Sequence, residues 1–352
     1  MRVLFVIHEL ALNGAVTALL AEVRALAAAG EQVTVLAPAV TGSAAALREE
    51  FLAAGAAVVA RAAAAEHDVA VGCTVFAAEA LGKLAGHLPL VWWIHEGQVG
   101  VEHVIARPMM RQVLGQVDRL VFPSRGTVER VWAGLLAGLP PGRVEVIPAL
   151  VPPPIAGPAV VKASGQVRVL CVGSLYPRKR QADLIAAVAA LGPGTPVECV
   201  LAGEQVLLEP AAESLIAAHA HRFVLPGGLP PAAVQALYRS ADIFALPSAD
   251  ESMPIAPLEA ASYGVPVVLS DLDCYAGVWR HGVNALLHPV GDVELLAWSL
   301  RMLIDSPGLR ARLAAAGRTV AERFGPARTT ALFACVLAEV AAGWSARRPG
   351  AG

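Results

Sequence analysis

The strongest candidates for functional residues in this chain are two glutamates in its C-terminal half, Glu251 and Glu259. They lie in the segment PSADESMPIAPLEAASYGVP, separated by seven residues that include Pro254 and Pro257. Proline resists a helix interior but suits a first helical position, so Glu251 is predicted in a loop and Glu259 in the first turn of the following helix. A helix start offers free N–H groups to anionic oxygens, and carboxylates accept hydrogen bonds from sugar hydroxyls. The segment therefore predicts a site for a phosphorylated sugar.

A basic pair follows another predicted strand, VRVLCVGS. Gly173 lies at the end of that strand, and Arg178 and Lys179 stand just before the next helix. Arginine can bind two diphosphate oxygens at once and lysine adds a compact charge, so the pair fits a diphosphate. A solvated basic turn would have the same sequence. The Glu251 segment, expected at the same edge of the sheet, favours the diphosphate interpretation.

The N-terminal half offers weaker candidates. Gly14 is the single glycine after the first strand, where the dinucleotide fingerprint GxGxxG needs three. Asn13 and Gly14 fit either a turn that brings backbone amides to a phosphate or sugar, or an ordinary strand-to-helix turn. His95, at the end of the run LPLVWWIHE, fits either a site residue or a core histidine beneath Trp92 and Trp93.

Other polar residues are predicted to be structural or solvated. His8 and His281 fit structural positions, and Asp271 and Asp273 lack a third ligand nearby, so no metal site is predicted. The five cysteines have no CxxC spacing and are predicted to be buried, reduced thiols.

Strand–helix alternation runs through most of the chain. Apolar strands separated by helices indicate parallel sheets covered on both faces. A proline-rich interval at 151–166 interrupts the alternation and predicts a linker. We therefore predict an α/β protein with two doubly wound, Rossmann-like domains, 1–150 and 167–325, that face a central cleft. Residues 326–352 are predicted to form a C-terminal helix, packed back on the first domain, and a tail. The predicted helices lie near 15–29, 44–54, 76–86, 102–115, 125–137, 180–191, 210–220, 231–239, 257–263, 293–305 and 326–344.

Composition narrows the function classes. The chain has 352 residues, enough for two cores, and a net charge of −2 without a long basic run, which argues against nucleic acid as a partner. We find no apolar run of the ~18–20 residues that span a bilayer, and no secretory signal. The expected location is cytoplasmic, or peripheral at the inner membrane face.

Three segments in order carry a resemblance to a known family: VGSLYPRKRQADLIAA, LPSADESMPIAPLEAASYGVPVVLSD and HGVNALLHPVGD. They resemble the C-terminal domain of retaining glycosyltransferases of family 4, which have the GT-B fold of two Rossmann-like domains. The turn at Gly14, IHE at 94–96 and DRLVFPS at 118–124 also fall in the family's order. The resemblance covers nearly the whole chain, and its paired-glutamate segment is the most specific part.

The resemblance implies roles for individual residues. Glu259 would bind the ribose hydroxyls of a nucleotide, and Glu251 would lie against the donor sugar near the reacting carbon. Arg178 and Lys179 would neutralise the donor diphosphate, and His95 would contact the donor sugar and the reaction centre. The remaining predicted donor-binding residues are Gly14, Gly173, Met253, Pro254 and Ile255.

The chain departs from the family pattern in two places. Ser174 stands where members often have arginine, and Ser252, Met253 and Pro254 stand where they often have an aromatic residue and glycine. Arg178 and Lys179 alone would then neutralise the phosphates.

The resemblance implies a retaining hexosyl- or glycosyltransferase that moves a sugar from a nucleotide-sugar donor to an acceptor hydroxyl. The acceptor would be a glycan, a lipid-linked molecule or a small molecule, and neither a metal nor another cofactor is expected. The alternatives are a sugar-nucleotide epimerase or isomerase of the same architecture, and a non-catalytic nucleotide-sugar-binding subunit.

Overall fold

The computed structural model describes residues 1–11, 13–37, 44–161 and 165–347. Residues 162–164 of the predicted linker and 348–352 of the predicted tail lie outside them. The chain divides into two compact units. Unit 1 comprises Met1–Leu150 and Pro326–Gly352, and unit 2 comprises Val151–Gly325. Each unit is a parallel α/β sheet with helices, which confirms the predicted fold class.

Unit 1 contains, over its described residues, a seven-stranded sheet in the order β3-β2-β1-β4-β5-β6-β7. Its strands are β1 (Arg2–Val6), β2 (Gln32–Leu36), β3 (Ala57–Val59), β4 (Val69–Cys73), β5 (Leu90–Trp93), β6 (Arg119–Phe122) and β7 (Val144–Val146). Its α-helices are α1 (Gly14–Ala28), α2 (Ala44–Ala53), α3 (Ala78–Leu84), α4 (Gln98–Ala106), α5 (Pro108–Gln116), α6 (Ala133–Leu136) and, from the end of the chain, α13 (Pro326–Ala346).

Unit 2 contains, over its described residues, a six-stranded sheet in the order β10-β9-β8-β11-β12-β13. Its strands are β8 (Val167–Val172), β9 (Val197–Ala202), β10 (Phe223–Gly227), β11 (Ile243–Leu246), β12 (Val267–Ser270) and β13 (Leu286–His288). Its α-helices are α7 (Gln181–Ala190), α8 (Pro210–Ala218), α9 (Pro231–Ser240), α10 (Ile255–Ser262), α11 (Val293–Asp305) and α12 (Pro307–Glu322).

Both sheets reverse their strand order at one point, between β1 and β4 in unit 1 and between β8 and β11 in unit 2. In open parallel sheets, ligands bind in the crevice at the carboxyl ends of the strands on either side of such a reversal. The register pairs Val6 with Gly72 in unit 1 and Leu170 with Phe244 in unit 2. The loops that follow these four strands are therefore the positions to search for a site.

Buried apolar strands explain why both sheets form. All residues of β4, β5, β11 and β12 are buried, as expected where helices cover both faces of a parallel sheet. The segment from Val151 to Val161, the described part of the predicted linker before residue 162, has no regular secondary structure. Arg239 holds it by donating to the carbonyl oxygens of Ile155, at 2.8 Å, and Pro158, at 2.9 Å.

The predicted helices differ from those of the structure in several places. The helix predicted at 102–115 is two helices, α4 and α5, because Pro108 excludes the residue before it from helical backbone and Arg107 is extended. The helix predicted at 125–137 is a π-helical turn, Thr127–Val131, followed by the short α6. The sequence prediction omitted β13 and α12, although Ser306 caps α12 by accepting from the amide of Leu309.

The helix that carries Glu259 begins earlier than predicted. α10 starts at Ile255, with Pro254 at its cap, so Glu259 lies in the second turn rather than the first. Pro257 occupies the third helical position. Its missing N–H costs no hydrogen bond there, because the first four amides of a helix have no intrahelical acceptor.

One helical stretch of the described chain is long and apolar enough to cross a membrane by length and composition. It runs from Pro307 to Ala346 and is interrupted by charged residues such as Arg328 and Glu339, so it is not an uninterrupted apolar run of the kind that the sequence analysis considered. The stretch is divided between α12 and α13 by a turn at 323–325. α13 packs against α1, β4 and β5 and buries Phe333, Leu337 and Val340 in unit 1.

The cysteines are thiols, four of them buried as predicted. Cys73, Cys171, Cys199 and Cys274 are buried, and burial is the first cause that raises the pKa of each. The prediction is wrong for Cys335, which is exposed on α13. The apolar neighbours of Cys335 in the sequence resemble a core pattern, but its position on the helix turns it outward.

A buried acid on α1 gives a prediction about stability. Glu22 is 1% exposed, and burial raises its pKa from 4.5 to about 7, against a smaller opposite effect of the Thr330 hydroxyl on α13. A folded-state pKa above the unfolded value contributes stability that is present below about pH 4.5 and lost as the pH rises through 7. Glu22→Gln should therefore match the wild type near pH 4.5 and exceed it by roughly 3 kcal/mol at pH 8.

Urea unfolding of both proteins at these two pH values measures the difference. Glu49→Gln, which changes an exposed carboxylate on α2, is the matched control and should show no pH-dependent difference. A Glu22→Gln difference that is the same at both pH values would show that burial does not shift the ionisation of Glu22.

Candidate functional site

A buried carboxylate, Glu251, stands at the centre of the polar cluster in unit 2. Its Oε1 lies 2.5 Å from Lys179 Nζ and 2.7 Å from the donating hydroxyl of Ser248. Its Oε2 lies 3.6 Å from Arg178 Nη1. Burial alone would raise the pKa of Glu251, but the charges of Lys179 and Arg178 outweigh it and hold the pKa below its usual value. Glu251 is therefore ionised at neutral pH.

Arg178 is fixed by neighbours on both sides. Its Nε donates to the Tyr176 hydroxyl at 2.9 Å, and its guanidinium lies 5.3 Å from the centre of the Tyr176 ring. Its Nη1 donates to the carbonyl oxygen of Asp250. The loop after β8 and the loop after β11 are thus joined by a charge-assisted contact, and also by the backbone hydrogen bond from the amide of Ala249 to the Arg178 carbonyl at 2.8 Å.

Glycine at 173 allows the first of these loops to turn. Gly173 has φ +144°, a conformation that side chains rarely adopt. It also lies against Gly203 at the end of β9, where a Cβ would stand 2.1 Å from the Gly173 carbonyl oxygen. After this turn a 3₁₀ turn, Pro177–Lys179, carries the two cations, and the buried Gln181 donates to the Ser174 carbonyl at 2.9 Å.

Glu259 has a different environment from Glu251. Its Oε2 accepts a hydrogen bond of 2.9 Å from the hydroxyl of Tyr238, a buried residue of α9. Burial raises the pKa of Glu259, and the Tyr238 bond lowers it by less. A carboxylate has about four acceptor positions, so one tyrosine leaves capacity for hydroxyl groups of a ligand.

The segment between the two acids leads into the N-terminus of α10. Met253 is buried, Pro254 is the N-cap residue and Ile255 is the first helical residue. The helix start offers backbone N–H groups, which favour an anion. These three residues thus contribute apolar packing and backbone groups to the site, and no polar side chain.

His95 follows β5 in unit 1. Its ring lies 4.3 Å from that of Trp93, and burial lowers its pKa to about 3, so the imidazole is neutral at physiological pH. Trp92 and Trp93 are both buried. Glu96 Oε2 accepts hydrogen bonds from the backbone amides of His95, at 3.0 Å, and Val75, at 3.1 Å. This acid therefore orders the backbone around the histidine.

Gly14 is the first residue of α1. Asn13 caps the helix by accepting from the amide of Val16 at 3.0 Å. A Cβ on Gly14 would meet no atom within 4 Å, so its immediate surroundings do not themselves require glycine. The role predicted for Gly14 stays a prediction.

The structure thus brings Gly173, Arg178, Lys179 and Glu251 together in unit 2, where Glu259 instead contacts Tyr238. Gly14 and His95 lie in unit 1. Over the described residues, no three His, Cys, Asp or Glu side chains form a group that could hold a metal ion. The sequence prediction missed four residues that fix this site: Tyr176, Gln181, Tyr238 and Ser248. Of these, Gln181 had a usable signal, since it is a lone amide at the start of an apolar helix.

Family models match both halves of the chain. The model of Glycosyl transferases group 1 matches residues 158–320, and that of Glycosyl-transferase family 4 matches residues 1–135. The chain therefore belongs to the family 4 glycosyltransferases, the class that the two sheets and the paired-glutamate site also indicate.

Curated relatives resemble parts of the chain. A D-inositol 3-phosphate glycosyltransferase of Thermobispora bispora is 32% identical over 65% of this chain and 57% of its own length. A phosphatidyl-myo-inositol mannosyltransferase of Mycobacterium leprae is 39% identical over 28% of this chain and 26% of its own length. These alignments span less than two thirds of either relative.

Solved structures share the fold over nearly the whole chain. Anabaena Alr3699/HepE in complex with UDP-glucose has a TM-score of 0.77 at 19% identity, covering 96% of this chain and 100% of that one. Sucrose-phosphate synthase from Thermosynechococcus elongatus has a TM-score of 0.79 at 16% identity, covering 97% and 100%. At these identities the likeness establishes the fold.

The buried pair gives a prediction about Lys179. Lys179→Met should leave the Glu251 carboxylate buried without its closest cation and lower the free energy of unfolding by about 3 kcal/mol. Lys83→Met is the matched control. It removes the same charge from an exposed pair with Glu79 and should leave stability unchanged. Urea unfolding at pH 7 measures both, and equal effects would show that Glu251 does not depend on Lys179.

Proposed function

We propose that this chain is a retaining glycosyltransferase that moves a sugar from a nucleotide diphosphate donor to an acceptor hydroxyl. The observation that carries the proposal is the cluster of Lys179, Arg178 and Glu251, where two cations face one ionised carboxylate beside the strand reversal of unit 2. Family membership and the UDP-glucose complex of a structural neighbour support a nucleotide-sugar donor.

The cluster suits the charge that develops during sugar transfer. Cleavage of the bond between the anomeric carbon and the phosphate builds negative charge on the diphosphate. Arg178, Lys179 and the N-terminus of α10 would stabilise that charge. This assignment gives the leaving group two cations from the protein, and we propose that transfer proceeds without a metal.

The two glutamates would bind different parts of the donor. Glu251, held ionised, would accept hydrogen bonds from donor-sugar hydroxyls and stabilise positive charge at the anomeric carbon. Glu259 would bind the ribose hydroxyls, with Tyr238 fixing one of its oxygens. In unit 1, His95 would contact the donor sugar as a neutral imidazole. Retention implies that the acceptor attacks the face from which the phosphate leaves.

The names of the relatives bear on the acceptor that we propose. The relatives' names include an inositol phosphate and a phosphatidylinositol, which favours a small-molecule or lipid-linked acceptor. We place the reaction in the cytoplasm, where nucleotide sugars would be the donors, or at the inner membrane face.

A panel of UDP-, GDP- and ADP-sugars tests the donor proposal. At least one donor should release its nucleotide in the presence of acceptor, and EDTA should leave that rate unchanged. Glu259→Ala should weaken nucleotide binding about tenfold because it removes a carboxyl group that accepts hydrogen bonds from the ribose hydroxyls. Glu294→Ala, in the first turn of α11, is the matched acidic control. If no nucleotide binds by calorimetry, the proposal is wrong.

Separate measurements of transfer and binding test the leaving-group assignment. Arg178→Ala and His95→Ala should each lower kcat by about 10²-fold or more while changing the nucleotide Kd much less, because their contacts are stronger in the transition state. Equal losses in kcat and Kd would contradict these roles. Proton NMR of the product should show the donor's anomeric configuration, and an inverted product would exclude retention.

A further inference from the structure

Two stacked tyrosines, Tyr238 and Tyr263, adjoin Glu259 in unit 2. Tyr238 lies on α9, and Tyr263 directly follows α10, the helix that carries Glu259. Their ring centres are 5.6 Å apart and their planes are inclined by 20°. The ring of Tyr238 also lies 6.2 Å from that of Phe244 on β11. Contacts with two other rings therefore hold the Tyr238 side chain and restrict the position of its hydroxyl.

The hydroxyl of Tyr238 is a permanent hydrogen-bond donor to Glu259. It donates to Glu259 Oε2 at 2.9 Å. Burial, and next the negative charge of Glu259, raise the pKa of the Tyr238 phenol well above its usual value, so the phenol keeps its proton at neutral pH. A glutamate side chain has several rotatable bonds and loses much rotamer freedom when it is fixed. The Tyr238 bond selects one orientation of the carboxyl group, and its remaining acceptor positions then have fixed directions.

The segment before β8 holds the tyrosine pair from its other end. The amide of Ile155 donates to the Tyr263 hydroxyl oxygen at 3.0 Å. Arg239, the neighbour of Tyr238 on α9, donates to the carbonyl oxygens of Ile155 and Pro158, at 2.8 and 2.9 Å. One short stretch of backbone thus binds Tyr263 directly and the α9 turn that carries Tyr238 through an arginine. The interval that the sequence predicts to be a linker therefore also supports the stack beside Glu259.

We propose that Tyr238 and Tyr263 are positioning residues, which orient Glu259 so that the nucleotide site selects ribose over 2′-deoxyribose. The ribose contact of Glu259 itself rests on the proposed function. A site built to hydrogen-bond a hydroxyl rejects the analogue that lacks it, because a polar group of the site is then left unpaired. This penalty is largest when the carboxyl group cannot turn toward another donor. The Tyr238 bond prevents that turn, and the stack with Tyr263 keeps the Tyr238 hydroxyl in place.

Calorimetry with UDP, GDP and ADP, each beside its 2′-deoxy analogue, tests the selectivity. The ribonucleotide that binds the wild type most tightly should bind about tenfold more tightly than its 2′-deoxy analogue. Tyr238→Phe removes only the hydroxyl and should reduce this ratio to about threefold or less, chiefly by weakening the ribonucleotide. Tyr275→Phe is the matched control, since it removes a buried hydroxyl that has no hydrogen-bond partner among the described residues, and it should keep the ratio. Equal ratios in the wild type and Tyr238→Phe would overturn the proposal.

Variants of the second tyrosine test the stack. Tyr263→Leu removes the aromatic ring and should lower the ratio of ribonucleotide to deoxynucleotide affinity as Tyr238→Phe does. Tyr263→Phe keeps the ring and should retain the ratio of the wild type. An unchanged ratio in Tyr263→Leu, or the same loss in both variants, would overturn the role assigned to stacking.

A double variant separates positioning from a merely structural role. Tyr238→Phe combined with Glu259→Ala should bind both nucleotides as Glu259→Ala alone does, because Tyr238 acts through that carboxyl group. A further loss of about twofold or more in the double variant would show that Tyr238 supports the site independently of Glu259. In turnover, Tyr238→Phe should raise the donor KM and change kcat by less than about twofold, because the ribose is remote from the bond that breaks.

The outcomes distinguish this proposal from the proposed function on which it rests. If a ribonucleotide binds the wild type and Tyr238→Phe leaves its selectivity intact, the positioning role is wrong and the donor assignment stands. If no ribonucleotide binds the wild type, both are wrong.

Discussion

Parallel strand pairing is the constraint on which the candidate site of unit 2 depends. It places the carboxyl ends of all strands in a sheet on one edge, and the reversal of strand order opens a crevice between two of the loops. In unit 2 the register of β8 with β11, Leu170 against Phe244, sets the loop with Lys179 beside the loop with Glu251. A shift of this register by one residue would turn every side chain of the shifted strand to the opposite face of the sheet. It would also separate Lys179 from Glu251. The site is thus a consequence of strand register before it is one of side-chain chemistry.

Charge balance explains how an acid can stay ionised inside unit 2. A carboxylate loses most of its hydration when buried, and isolated it would take up a proton. Glu251 avoids this because Lys179 and Arg178 are close and Ser248 donates to it. Two cations facing one carboxylate leave one positive charge in excess among the contacts described. An anionic ligand could share these cations, and the pair is therefore compatible with both a stable fold and a diphosphate.

The sequence was informative where local pattern decides structure. Alternation of apolar strands and helices predicted both sheets, and the loop position of Glu251 is as expected. The sequence was less informative where tertiary packing decides which residues are in contact. Tyr238 reaches Glu259 from another helix, a contact without any local pattern, and α10 starts at Ile255 because proline is tolerated at its third position. The sequence also gave no indication that Thr74 has a positive φ, of 72°, because threonine rarely adopts this conformation.

The two glutamates of the opening motif show how neighbours, rather than residue type, separate their chemistry. Lys179 and Arg178 lower the pKa of Glu251, whereas burial beside Tyr238 raises that of Glu259. Groups whose environments shift their pKa values in opposite directions are suited to different tasks. Glu251 offers a fixed negative charge, suited to a developing positive carbon. Glu259 offers a carboxyl group in a less polar place, where hydrogen bonds to neutral hydroxyls are strengthened. Since the two acids contact different partners, they need not share a proton, and in the proposed function they would make two separate contacts along one ligand.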